Sequence, residues 1–315
     1  SGGTLSNLNA LIAARYNAGL GSDPNSLLFV SEDAHSSFVK CIRIMGLDEK
    51  NLVRIKTDKR GCMDIQDLRN TIDKCLMENR KIFAIVATLG TTVKGAVDPI
   101  NEISGICKDK NIWLHIDGSI GGIFAVTSIQ IEGLNNIDQA NSITINPQKI
   151  IGITKTSSLL LVSNMKTLEN TFATGLPYIT SKENIMNRGE LGVQGSRPAE
   201  VIKLWLGLRF LGLNGIEDIL KSSLKRKEFF IKNIRKDKYE IHTGPLHIVS
   251  FLPKGMNPKD SDFWTQTKVN ELLKKNYMLS RPIFNGKFYL RVVMGNHNTK
   301  ESHIEELLKY LNSYQ

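Results

Sequence analysis

Residues 82–88 read Ile-Phe-Ala-Ile-Val-Ala-Thr, a nearly continuous apolar run closed by Gly90. A strand with one face in water alternates apolar and polar residues. A run without alternation belongs to a strand covered on both faces, which is the usual state of a parallel sheet. Parallel neighbours need crossovers, and the flanking segments provide helices. Ile65, Leu68, Ile72 and Leu76 share one helical face, and Asp98-Pro99 is expected to cap and start a helix running through Lys110. Leu5, Leu8, Leu11, Ile12 and Arg15 recur at helical spacing ahead of a short buried strand at Leu27–Val30. Further strands are expected at 112–117, 142–146 and 157–162. This alternation predicts an α/β fold with a mostly parallel sheet and helices on both faces.

After Arg197-Pro198 a helix is expected through Leu204, Trp205 and Leu208 towards Gly212. Beyond Gly215 the pattern changes to a basic helix, a strand at 247–252, a helix at 261–276 and a strand at 288–293. A last helix, capped by Asn298 or Thr299, carries Ile304, Leu307, Leu308 and Leu311 on one face. The predicted division is a large domain at 1–214 and a small C-terminal α+β domain at 215–315. The chain opens on a Gly-Gly-Thr turn with no strand before it, so an upstream segment is expected to be missing.

The 315 residues suffice for both units, and 41% hydrophobic with 23% charged residues is ordinary for a globular protein. No run of about 18 apolar residues occurs, so no membrane span is expected. The N-terminus has neither the basic start nor the apolar stretch of a secretory leader. The net charge of +10 comes from scattered lysines. The cluster Lys225-Arg226-Lys227, Lys232 and Arg235-Lys236 reads as a solvated helix face, and no nucleic-acid partner is expected. A basic balance suits an anionic cofactor and an amino-acid carboxylate. Cys41, Cys62, Cys75 and Cys107 have no paired or zinc-like spacing, which implies no metal site and a reducing, cytoplasmic location.

The chemistry-bearing residues stand at strand ends. Lys149 follows the strand 142–146, where open α/β sheets bind ligands; desolvated there, its amine becomes a nucleophile towards a carbonyl. A solvated surface lysine is the ordinary alternative. Asp117 ends Trp113-Leu-His-Ile-Asp, and an acid there is costly unless it is paired or functional; a magnesium ligand or a helix cap are the alternatives. Gly2-Gly3-Thr4 opens a helix whose free N–H groups form an anion site, unless Thr4 is only an N-cap. His35 is placed to stack on a flat ring or to serve as a structural hydrogen-bonder. The hydroxyls of Ala87-Thr-Leu-Gly-Thr-Thr92 follow a strand, at the crevice edge or in a plain turn.

The order of these segments resembles the group II pyridoxal-5′-phosphate (PLP) dependent decarboxylases of aromatic amino acids, glutamate, diaminobutyrate and cysteine sulfinate. The matching motifs are Gly2-Gly3-Thr4 with Asn7-Leu8 and Ala13-Ala14-Arg15, His35-Ser-Ser-Phe-x-Lys40 and Ala87–Thr92. Gly95-Ala-x-Asp-Pro-Ile100, Trp113–Asp117 and Asn146-Pro-x-Lys149 complete the set. The resemblance implies a fold-type I, PLP-dependent transferase-like large domain and α-decarboxylation of an L-amino acid to the amine and CO₂. It implies that Lys149 holds PLP as a Schiff base, Asp117 pairs with the ring nitrogen, His35 stacks on the ring and Tyr178 returns a proton to Cα. Gly3, Thr4 and Gln148 are then expected near the phosphate, Thr92, Ser119 and Asn146 along the pocket, and Arg197 on the substrate side. A homodimer with a shared site follows from the same resemblance.

The chain departs from the family at four places. Gln148 stands where most members have histidine, Gly118 and Ser119 replace two alanines, and Pro198 replaces a second arginine. An N-terminal region of roughly 100 residues, about a small domain's worth, is absent. Other expectations are a different PLP-dependent outcome (aldehyde synthesis or carbon–carbon cleavage) and a catalytically silent binding subunit. A nucleotide-binding Rossmann protein is distant, because no G-x-G-x-x-G follows a strand.

Overall fold

The structure is a computed structural model and describes residues 2–175 and 187–313. Its main sheet contains β1 (Leu27–Ser31), β2 (Leu52–Ile55), β3 (Ile82–Thr88), β4 (Trp113–Gly118), β5 (Ser142–Ile145) and β6 (Leu159–Val162), in the order β2-β1-β3-β4-β5-β6. All neighbours are parallel except β6, which runs antiparallel on β5. Helices α1 (Gly3–Asn17) and α2 (Ser37–Ile44) cover one face, and α3 (Ile65–Met77) and α4 (Ile100–Lys110) cover the other. A short α5 (Lys166–Phe172) packs on α1.

The apolar runs explain this layering. In β1, Leu27 and Phe29 enter the core under α3 and α4, while Leu28 and Val30 enter the core under α1 and α2. All seven residues of β3 are buried, as a strand between two helical layers requires. Each such Leu, Ile, Val or Phe contributes about 1.5–3 kcal/mol relative to exposure.

The helix α6 (Glu200–Asn233) is one element with a kink at Gly212, whose φ of 61° is the left-handed value glycine tolerates. It therefore runs through position 215, where the sequence pattern suggested a break. Ile216 and Leu220 join the main core, whereas Phe230 joins a second core. That core sits on an antiparallel sheet of β7 (Tyr239–Thr243), β8 (Ile248–Pro253) and β11 (Leu290–Val293), ordered β11-β8-β7. The small hairpin β9 (Ile283–Phe284) and β10 (Lys287–Phe288) lies beside α7 (Pro258–Leu273), and α8 (Glu301–Asn312) closes the chain.

Two expected caps are not formed. Asp98 does not cap α4; Pro99 takes that position without a side-chain bond. The Asp98 carboxylate instead accepts the backbone N–H groups of Met63 and Thr88, both at 2.7 Å, and is fully buried. Those two donors have no ladder partner, and satisfying both outweighs a single cap bond. At α8 the N-cap is Lys300 rather than Asn298 or Thr299. Asn298 and Thr299 are held in the preceding turn by Asn296, whose side chain and carbonyl accept their N–H groups.

All four cysteines are buried and unpaired. Among the described residues no helix is long and apolar enough to cross a membrane, and no group of three His, Cys, Asp or Glu side chains is placed to hold a metal.

Candidate active site

The carboxyl ends of β3, β4 and β5 face the N-terminus of α1 across a cavity of about 230 Å³. Asp117, paired in register with Thr144, sits at the end of β4. The neighbouring β5 ends at Ile145, and the chain turns there: Lys149 donates its N–H to the Asn146 carbonyl at 3.0 Å. This turn brings Lys149 to the same opening as Asp117. Gly3, Thr4, His35, Thr92, Asp117, Ser119, Asn146, Gln148 and Lys149, all expected at the cofactor, line this one cavity.

Gly3 is required by space. A Cβ there would lie 2.5 Å from Asn146 Nδ2 and 2.9 Å from Ser119 Oγ, so any side chain would close the gap between α1 and the strand ends. The helix starts at Gly3 with Gly2 as N-cap and no side-chain cap bond. Its first N–H groups, with the positive end of the helix dipole, are left for an anion in the cavity. Asn146 Oδ1 accepts from Ser158 Oγ at 2.6 Å, and Gln148 Oε1 accepts the Ser157 N–H at 2.6 Å, so both side chains are tied from behind.

The titratable groups influence one another. Lys149 keeps an exposed surface at the cavity mouth, yet desolvation by the walls lowers its pKa; Arg291 adds to the lowering and Asp117 opposes it. His35, also exposed by area, has its pKa lowered by desolvation, with Lys149 and Lys40 adding and Asp117 opposing. Its Nδ1 accepts the Ser37 N–H at 3.1 Å, which places the ring hydrogen on Nε2. Asp117 is 5% exposed, with Oδ1 on the Ser119 N–H at 3.1 Å and Oδ2 on Asn7 Nδ2 at 3.2 Å.

Two buried hydroxyls on the cavity wall, Ser37 Oγ and Thr88 Oγ1, have no hydrogen-bond partner among the described residues. Unpaired polar atoms at an anion-ready helix end, beside an amine and a carboxylate, fit a small phosphorylated ring carrying a carbonyl and a basic nitrogen. The PLP molecule has those groups.

Arg197 is elsewhere: its guanidinium donates to the carbonyls of Arg188 at 2.9 Å and Gln194 at 2.7 Å, and it does not line the cavity. Tyr178 lies outside the described residues. Sequence reasoning missed Arg291, a half-buried residue of β11 whose guanidinium donates to the Thr92 carbonyl and, at 2.8 Å, to Ser280 Oγ. A single arginine between Leu290 and Val292 was its only trace.

Residues 1–251 match the pyridoxal-dependent decarboxylase conserved domain. The chain is 32% identical over 303 residues to an acidic amino acid decarboxylase of Xenopus tropicalis, covering 88% of this chain and 59% of that protein. It is 30% identical over 284 residues to an aromatic-L-amino-acid decarboxylase of Bacillus atrophaeus, with 87% and 58% covered. The crystal structure of mouse CSAD in apo form superposes with a TM-score of 0.87 at 26% identity, covering 98% of this chain and 69% of that one. The chain thus spans about three fifths of the length of these curated relatives. With four fifths of its residues inside the matched domain and the site at the same strand ends that carry the motifs, the chain belongs to the pyridoxal-dependent decarboxylase family and has its fold-type I architecture.

Proposed function

We propose that the chain carries the catalytic core of a PLP-dependent α-decarboxylase that converts an L-amino acid to the amine and CO₂. One observation carries the reading: Lys149 and Asp117 meet at adjacent strand ends in one cavity whose opposite side is the open N-terminus of α1. Bound there, PLP supplies the electron sink that a departing carboxylate needs.

The protein's part is to hold and orient. The first amides of α1 take the phosphate, with Thr4 and Gln148 beside them. Asp117 accepts the hydrogen of the ring nitrogen, and its negative charge keeps that hydrogen in place. His35 covers one ring face, while Thr92, Ser119 and Asn146 bound the pocket. Lys149 would hold the cofactor through Nζ; its lowered pKa raises the share of neutral amine available there. Arg291 does not line the cavity; it holds Thr92, which does, and stands close enough to Lys149 to depress that pKa, so its guanidinium is assigned to the carboxylate of an incoming amino acid. Tyr178 is assigned the return of a proton to Cα, and Arg197 supports the substrate side through the turn it holds. A homodimer is also proposed. Supporting it, α6 leaves Val201, Ile202, Trp205, Leu206, Phe210 and Leu213 exposed along the first part of the helix. The four free cysteines accord with a cytoplasmic setting.

The test is an absorption spectrum of the chain with PLP, borohydride reduction, peptide mapping, and a screen of amino acids for CO₂ with amine against aldehyde with ammonia. The reading expects reduced label on Lys149 and amine as product. Label without CO₂ release would redirect the reading to another PLP reaction; absence of label would leave a silent binding subunit.

A further inference from the structure

Behind Asp117 four polar side chains form a continuous chain of hydrogen bonds. Trp113 Nε1 donates to Ser142 Oγ at 2.8 Å, and His115 Nδ1 lies 2.8 Å from that same oxygen. His115 Nε2 is 3.1 Å from Asn7 Oδ1, and Asn7 Nδ2 donates to Asp117 Oδ2 at 3.2 Å. Ser142, His115 and Asn7 are at most 1% exposed, so the two bonds that His115 makes are closed to water.

Donor and acceptor capacities leave one arrangement. An ionised carboxylate only accepts, so Asn7 must turn its NH₂ to Asp117; the flipped amide would set oxygen against oxygen. Asn7 Oδ1 then faces His115 and also only accepts, so His115 carries its hydrogen on Nε2. That makes Nδ1 an acceptor, and the Ser142 hydroxyl must donate to it. The Ser142 oxygen remains free to receive the Trp113 N–H. Every donor in the chain therefore points towards Asp117. Desolvation lowers the His115 pKa against the pull of Asp117 and the Ser142 backbone, which favours the neutral ring that these hydrogen-bond capacities require.

We infer that Asn7 and His115 are positioning residues for Asp117, forming with Ser142 and Trp113 a polarised relay that fixes the carboxylate's rotamer and so its aim at the cofactor's ring nitrogen. The inference rests on the proposed role of Asp117. The second bond on the carboxylate, from the Ser119 N–H, comes from its own turn and cannot set the side chain's orientation alone. Core satisfaction without function would need only that each group be paired. The relay adds a common direction and a terminus on the one acid among the described residues that line the cavity.

The test has two arms, both on the whole chain. Imidazole nitrogen NMR of the cofactor-free protein, assigned with His115→Gln, is expected to show His115 neutral with hydrogen on Nε2 from about pH 6 to 8. The Nδ1 tautomer or an imidazolium would overturn the relay. In the second arm PLP is titrated into the wild type, Asn7→Leu, His115→Leu and His115→Gln. Loss of a hydrogen bond to a charged group predicts PLP affinity roughly tenfold to a hundredfold weaker in the two leucine variants, with a displaced visible band. His115→Gln, which can still donate to Asn7, is expected to restore most of the affinity, a recovery that a merely folded core would not show. Leucine variants with wild-type affinity and band, beside a wild type labelled at Lys149, overturn the inference alone. A wild type with no label on Lys149 overturns the cofactor reading and the inference together.

Discussion

The two walls of the cavity are built in different ways. The inner wall comes from β4, β5 and α1, and its groups stand at the ends of local elements: Asp117 is next to last in 113–118, and Lys149 follows 142–145. The outer wall comes from the β3–α4 loop, held from the second sheet by three contacts. Arg291 grips the Thr92 carbonyl, Ser250 Oγ donates to the Val93 carbonyl at 2.6 Å, and the Gly244 N–H donates to the Lys94 carbonyl. Arg291 and Thr92 are 199 residues apart in sequence. The inner wall follows from local chain grammar, while the outer wall exists only after two separate sheets have docked. Under the proposed function the inner wall would hold the cofactor and the outer wall would orient the substrate.

Lys149→Ala should break the inner wall most severely. Loss of the attacking amine is expected to lower kcat/KM by roughly three orders of magnitude or more and to abolish borohydride-fixed label. A variant that kept the label would move the attachment point elsewhere. Arg291→Met tests the other side. Cofactor label should persist, while KM for the amino acid rises about tenfold to a hundredfold, the worth of a charge-assisted pair. Equal loss of PLP affinity in both variants would erase the distinction between the walls.

The same distinction explains what could be read from the sequence. The strand at 82–88 was visible because burial on both faces leaves a nearly continuous apolar run, while 113–118 and 142–145 read as short β-branched and apolar segments between helices, and their ends pointed to Asp117, Lys149 and Asn146. Gly3 and Thr4 were visible because a glycine pair opens a helix. Arg291 was not: one charged residue in a short strand looks like its solvent side, and only the docked loop shows otherwise. The continuity of α6 was also hidden, since Gly212 and Gly215 read as a stop, yet the helix absorbs Gly212 as a kink. His115 looked like part of a motif, but its partners Asn7 and Ser142 come from α1 and β5, each far away in sequence.

A smaller change should weaken the inner wall without removing any reacting group. Gly3→Ala places a Cβ 2.5 Å from Asn146 Nδ2, and Asn146 is itself held by Ser158. Overpacking of this kind costs about 1–3 kcal/mol, which should appear as roughly tenfold weaker PLP binding with KM for the amino acid little changed. Unchanged affinity would show that α1 can shift away from the strand ends, and the helix terminus would no longer count as a fixed anchor.

The smallest expected effect concerns the root of the outer wall. Asp98 ties the end of β3 to the Met63 segment, and burial pushes its carboxyl up from the ordinary 3.8 to about 7, the two N–H bonds pulling the other way. Between those values the folded chain retains a proton that the unfolded chain has released. Its contribution to stability is therefore complete below about pH 4 and is lost as the pH rises through about 7. Asp98→Asn removes this titration and sets an NH₂ group against one backbone N–H, at a cost of about 1–3 kcal/mol. Urea unfolding at a series of pH values should show a falling slope between pH 4 and 7 in the wild type and a flatter one in the variant. PLP affinity should stay near wild type, because Asp98 anchors the loop from outside the cavity. Matching slopes would mean the carboxyl stays ionised on its two N–H donors, so that this anchor of the loop would be held by charge throughout.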